Sequence, residues 1–289
     1  MLVLFTDTDT DITRKEAESY GYRLISMPYI VDGKEVLPYV DFDEFDYKPF
    51  YQMLRDGNLP TTSLISEEQY IEYFEPVFAE GNDILYVHFS RAMSSTFDNM
   101  DRAVRKLREK YPEREFYEID TKGITTISYS IVCEIGEMFK NGCSLEEVLA
   151  WAEKEVDKHA MYFFADDLKF FKRSGRVTGI AGTIGTLLKI RPIIHMDSEG
   201  RMVSIGKERS RGKAIDKLFE YMEELGDNVK DHLIVVGHTG APDIADELVN
   251  RLHEIYGNDI NLKVVVTNPT AGSHSGPDGA AICFHAKHR

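Results

Sequence analysis

Thr6-Asp7-Thr8-Asp9-Thr10-Asp11 puts three carboxylates at alternate positions directly after the apolar run Leu2–Phe5. Acids spaced in this way would ligate a hard cation in a calcium loop, but that loop needs a glycine after the third acid and a closing glutamate. Ile12 stands at the glycine position, and no glutamate follows at the required distance. The spacing also suits a magnesium-dependent phosphatase, with Asp7 as nucleophile, Asp9 as acid/base and Asp166-Asp167 as further metal-binding acids. Asp and Thr side chains equally cap helices and close local turns, and the sequence favours this plainer role.

Two hydroxyl clusters form the second chemical signal. Pro60-Thr61-Thr62-Ser63 precedes a helical pattern whose N-cap is Ser66, and Ser90-Arg91-Ala92-Met93-Ser94-Ser95-Thr96 follows the apolar run Asp83–Phe89. Hydroxyls at strand ends and helix starts donate to a carboxylate or phosphate without adding charge. A serine hydrolase built on Ser94 ranks last, because AMSST is not the GxSxG elbow. His274 lies in the glycine-rich stretch Ala271–Pro277, read as a loop, where imidazole would donate to a carboxylate. Arg209, after a predicted hairpin, would supply one cation. The histidines show no metal-ligand spacing, so no metal and no cofactor are expected. Gly179, Gly182 and Gly185 are spaced GxxGxxG rather than GxGxxG, and GxxxxGK[ST] does not occur, so nucleotide binding is poorly supported.

The elements that must carry these groups alternate strand and helix through the first half. Strands are expected at Leu2–Phe5, Tyr22–Tyr29, Asp83–Phe89 and Glu115–Ile119. Helices are expected at Arg14–Tyr20, Glu67–Phe78, Ser95–Lys110, Ile127–Phe139 and Leu145–Lys158. Asp32-Gly33 between apolar runs marks a hairpin, so a small β excursion is placed at about residues 30–60. The second half starts with strand Met161–Ala165 and short helices Asp167–Phe171 and Ala181–Lys189. A hairpin about Ser198-Glu199-Gly200 follows, then helix Lys213–Leu225, strand His232–His238, helix Ile244–Tyr256 and strand Asn261–Thr267, with Ala281–His285 last. The expectation is an α/β fold: an N-terminal parallel-sheet α/β/α domain over 1–158, a C-terminal α+β domain over 159–289, and a ligand cleft between them.

The 289 residues are 43% hydrophobic and 29% charged, which argues against disorder. Lys plus Arg number 34 against 49 Asp plus Glu, a net charge of −15 that disfavours nucleic acid and anionic membrane surfaces. No signal peptide or membrane span is read at the start. Cys133, Cys143 and Cys283 form no CxxC pair, which points to a reducing cytoplasm.

In order along the chain, TDTDTDIT, LPTTSLIS, HFSRAMSSTFDN, DDLKFFKRSGRVTG, LLKIRPIIHMDSEGRM and AGSHSGPDGA resemble the motifs of the DegV family. The resemblance implies two α/β domains holding one long-chain fatty acid between them, as the lipid-binding subunit of a bacterial fatty acid kinase in phospholipid metabolism. The chain would then be a carrier, with catalysis by a separate ATP-binding kinase subunit. It further implies that Thr62, Ser63, Ser94, His274 and Arg209 receive the carboxylate and that Arg173 and Arg176 dock the kinase. Leu64-Ile65 stand where the family has Gln-Pro, and Ser275-Gly276-Pro277-Asp278 where Thr-Gly-Pro-Gly is common. A chain of about 16 carbons at roughly 0.8 kcal/mol per methylene would contribute on the order of 10 kcal/mol gross. Apolar helices Ile127–Phe139 and Thr183–Ile190 would line its tunnel.

Overall fold

A computed structural model gives the structure of residues 1–179 and 190–289. The expected helix Ala181–Lys189, Gly182 and Gly185, and all but the end of the Thr183–Ile190 stretch lie outside the described residues.

The first half builds a parallel sheet from β1 (Leu2–Asp7), β2 (Tyr22–Ile25), β6 (Asp83–His88) and β7 (Phe116–Asp120), in the order β2-β1-β6-β7. Its helices are α1 (Arg14–Tyr20), α3 (Glu67–Ala79) and α4 (Thr96–Lys110). Thr13 with Glu16 and Ser66 with Gln69 form capping boxes that start α1 and α3. A continuous strand over Tyr22–Tyr29 is not formed. The chain leaves the sheet after Ile25, where Ser26 donates to the Pro38 carbonyl and Met27 N–H donates to Thr8 Oγ1.

The excursion is a three-stranded antiparallel sheet, β3 (Tyr29–Val31), β4 (Lys34–Val36) and β5 (Thr61–Thr62), in the order β4-β3-β5. Asp32 and Gly33 turn the β3–β4 hairpin with φ of 51° and 74°, the left-handed pair that matches strand twist. The excursion is not all β, because Tyr47–Arg55 forms helix α2. Tyr47, Phe50, Tyr51 and Leu54 recur at helical spacing, and Asp46 caps the start by accepting from Lys48 N–H.

In the second half seven strands make one mixed sheet: β8 (His159–Phe164), β9 (Val177–Thr178), β10 (Arg191–Met196), β11 (Met202–Glu208), β12 (Ile234–His238), β13 (Leu262–Val266) and β14 (Ala280–His285). Their order is β13-β12-β14-β8-β10-β11-β9. α8 (Arg211–Leu225) and α9 (Pro242–Tyr256) cover one face. α5 (Thr126–Lys140), followed by α6 (Leu145–Glu155), packs on β8, β12 and β14, while Tyr22 of the first sheet donates to the Val132 carbonyl of α5. Helix α5 is therefore sandwiched between the two sheets, which explains why both of its faces are apolar. One hydrophobic core runs from Phe5 and Tyr86 through Ile131 to Met161 and Cys283. No helix among the described residues is long and apolar enough to cross a membrane.

Two short helices complete the fold, α7 (Leu168–Ser174) and α10 (Pro269–Ser275). The second corrects the loop expected around His274. Asn268 accepts from Ala271 N–H as N-cap, and Pro269 occupies the first helical position, where its missing N–H costs nothing.

Candidate functional site

A cavity enclosing about 1050 Å³ of empty space, counted out to its opening, lies where β5, α7, α10 and the carboxyl ends of β1 and β6 meet β8, β12 and β14. Much of its wall is apolar, including Met27, Phe89, Met161, Phe163 and Met202. Methionine and phenylalanine give such a wall soft, deformable contacts for a flexible guest.

Thr62, Ser63, Ser94 and His274 all reach this wall, so the structure brings together four of the five residues expected at a headgroup. β5 pairs Thr62 with Tyr29, which fixes the threonine at the sheet edge. Thr62 Oγ1 lies 3.0 Å from His274 Nε2. Burial, reinforced by Arg176 and Arg173, pushes His274 down to about 4. The imidazole is thus neutral at physiological pH and partners the hydroxyl without adding charge. Ser63 donates to the Glu35 carboxylate at 2.5 Å. Ser94 Oγ accepts from Thr96 N–H at 3.2 Å, and Thr96 Oγ1 accepts from Ile65 N–H at 3.2 Å. These bonds tie the LPTTSLIS and AMSST segments into one rim.

Arg209 is not brought to the cavity. It is exposed at the end of β11, and its carbonyl accepts from Arg191 Nη1 at 3.1 Å. Among the described residues the cation on the wall is Arg176. Arg173 is a clasp at the rim, donating to the carbonyls of Leu59 at 2.5 Å, of Pro60, and of Ser273 at 3.1 Å. It joins α7 to the TTS segment and to α10.

Of the opening acids only Asp9 lies on the cavity wall. Asp7 Oδ1 accepts from Asp9 N–H at 2.9 Å, and Asp7 Oδ2 accepts from Tyr86 Oη at 3.0 Å and Phe89 N–H at 3.2 Å. Burial raises Asp7 to about 6. Asp11 Oδ1 accepts from both the backbone and the side chain of Asn268 at 2.8 Å, and burial raises Asp11 to about 7. The phosphatase reading with Asp7 and Asp9 is not supported. Asp7 is fully buried with both oxygens occupied, Asp167 caps α7 and Asp166 pairs with Arg191. Among the described residues no cluster of three or more His, Cys, Asp or Glu side chains is placed to hold a metal ion.

Sequence reasoning named Thr96 only as part of the second hydroxyl cluster, and it did not single out Thr270, Gly237, Ala280 or Ala281, which also line the wall. Asn268-Pro269, a cap followed by N1 proline, was the available signal for the helix that aims His274.

Residues 1–287 match the model of a family described as uncharacterised protein, DegV family. A DegV domain-containing protein from Clostridium perfringens is 30% identical over 283 residues, covering 98% of this chain and 96% of that protein. The fold is shared with a DegV family protein from Thermus thermophilus described by its fatty acid binding, at TM-score 0.83 and 24% identity, covering 99% of each chain. It is also shared with DegV of Bacillus subtilis, described as a fatty acid binding protein, at TM-score 0.81 and 23% identity, again covering 99% of each chain. A stearic acid-binding protein from Eubacterium ventriosum matches at TM-score 0.84 and 21% identity over 99% of both chains. The chain belongs to the DegV family.

Proposed function

We propose that this chain binds one long-chain fatty acid between the units expected at 1–158 and 159–289 and presents its carboxylate to a separate kinase. The observation that carries this reading is the pairing of a partly apolar cavity, about 1050 Å³ counted out to its opening, with the neutral Thr62–His274 rim. Chain burial supplies the affinity, since each methylene contributes roughly 0.8 kcal/mol. The rim supplies orientation, with Thr62, Ser94 and His274 receiving the carboxylate and Ser63 joining when its hydroxyl turns from Glu35. The relatives of the same fold that are described as fatty acid-binding support the ligand class.

Denaturing mass spectrometry of purified protein is expected to release fatty acid, and delipidated protein to take up palmitate or oleate at one per chain. Stable protein that contains no lipid and takes none up sinks the proposal. The carrier role predicts that ATP and the loaded chain alone yield no acyl phosphate in a hydroxylamine trap, and that a separate kinase restores it. Docking by Arg173 and Arg176 is tested with Arg173→Glu and Arg176→Glu by measuring lipid uptake and acyl phosphate together. Retained uptake with lost phosphorylation supports docking. Parallel loss assigns both arginines to the rim alone.

A further inference from the structure

Asp9 stands apart from the rest of the cavity wall. It is only 5% exposed, and its Oδ1 has no hydrogen-bond partner. Most of the hydrogen bonds formed by the donors around it go elsewhere. Its own N–H goes to Asp7 Oδ1 at 2.9 Å, and the Thr125 N–H goes to its main-chain carbonyl at 2.8 Å. The backbone and side-chain N–H groups of Asn268 reach Asp11 Oδ1 at 2.8 Å. Burial, with Asp7 and Asp11 alongside, raises the Asp9 carboxyl well above its usual range, and Asn268 offsets this only in part. With its proton on, the Asp9 carboxyl both donates and accepts; without it, the carboxylate accepts.

The position is built rather than incidental. Thr125, also on the wall, holds φ 56° and ψ −128°, a conformation a β-branched residue adopts only under constraint. Its N–H bond to Asp9 is part of that constraint. A saturated chain lying against this wall would give the buried carboxyl no partner beyond Asn268, whereas a chain carrying an alcohol would add one.

We propose that the cavity accepts a fatty acid bearing a hydroxyl group on its chain, with Asp9 as the second polar contact beyond Thr62 and His274. This rests on the fatty-acid reading above and narrows its substrate class. A hydroxyl suits this carboxyl because it can donate to it or accept from it.

The experiment is competition binding on the delipidated full-length chain, using palmitate and a series of hydroxypalmitates with the hydroxyl walked from carbon 2 to carbon 16. At least one position is expected to bind about tenfold more tightly than palmitate, which corresponds to about 1.4 kcal/mol. Asp9→Ala is expected to abolish that preference, bringing the ratio of hydroxy-acid to palmitate affinity to about one. Should Asp9→Ala fail to fold, a crystal structure of the wild-type chain with the preferred acid gives the second readout, its hydroxyl within hydrogen-bond distance of Asp9. A series in which no hydroxy acid outcompetes palmitate overturns the proposal, as does a preference that survives Asp9→Ala or a hydroxyl seated elsewhere. Failure of palmitate and every hydroxy acid to bind would instead overturn the fatty-acid reading, and this inference with it.

Discussion

Thr62 and His274 lie 212 positions apart in the chain and meet at 3.0 Å. One comes from the excursion strand β5 and the other from α10, so the hydrogen bond exists only when both halves are assembled. If the pair receives a carboxylate together, Thr62→Val and His274→Ala should each weaken palmitate binding by about 1–3 kcal/mol. The double variant should lose less than the sum, because the second substitution removes a group already deprived of its partner. Calorimetric titration of the three variants checks this, and strict additivity would show that the two residues act separately.

His274 also predicts a pH dependence of stability. Its folded value of about 4 lies below the ordinary histidine value of 6.5, so the unfolded chain binds the extra proton first as pH falls. The contribution is complete above about pH 6.5 and is lost as pH drops towards 4. His274→Gln should therefore flatten the fall in Tm over that window. A parallel fall in both proteins would place the acid sensitivity elsewhere.

Asp11 runs in the opposite direction. Its folded carboxyl keeps its proton to about pH 7 while an unfolded aspartate releases it near 3.8. The stability this group gives at low pH is lost as pH rises through that range. Asp11→Asn keeps an acceptor for Asn268 and, because asparagine tolerates a left-handed backbone, suits the φ of 60° at this position. It should nearly match wild type at pH 4 and exceed it by roughly 4 kcal/mol at pH 8. Urea denaturation at the two pH values measures the difference, and equal stability at pH 8 would contradict the raised carboxyl.

Ala281 on β14 lines the cavity. Ala281→Phe should fill space that a chain needs and lower affinity for C16 and C18 acids by tenfold or more, with a smaller effect on C8. Uniform loss at every length would mean that the substitution disturbs the fold.

Gly276 ends α10 with φ 76°, and a Cβ there would sit 2.2 Å from Phe170 Cδ2. Gly276→Ala combines a left-handed backbone cost with a clash against a buried ring, so a loss of about 2 kcal/mol or more is expected. The loss should appear in thermal unfolding, together with weaker lipid uptake, because the same turn aims His274. Unchanged Tm would show that Phe170 gives way freely.

Much of this molecule was legible from local pattern. The helices α1, α3, α4, α5, α8 and α9 and the strands β1, β6, β7 and β14 sit within a few residues of the expected spans, because apolar periodicity and caps such as Ser66 act over one or two turns. Helices α2 and α10 were less visible, although Tyr47, Phe50, Tyr51 and Leu54 and the pair Asn268-Pro269 carried their signals. In both places a stronger texture, aromatic-acidic in one and glycine-rich in the other, suggested loop or strand. Motif order placed Thr62, Ser63, Ser94 and His274 at a headgroup, and tertiary structure gathers all four on one cavity.

The sequence by itself determined the run of elements, the acidic character and the set of hydroxyl and imidazole groups, since these depend on residue type and near neighbours. Only the tertiary structure decided which of them share a wall. Arg209 stays at the surface, Arg173 closes a rim, and Asp9 turns into the cavity while Asp7 is sealed beneath Tyr86 and Phe89. The reason is that burial and pairing are set by segments hundreds of residues apart, and no local spacing encodes which donors remain free once α5 lies between the two sheets.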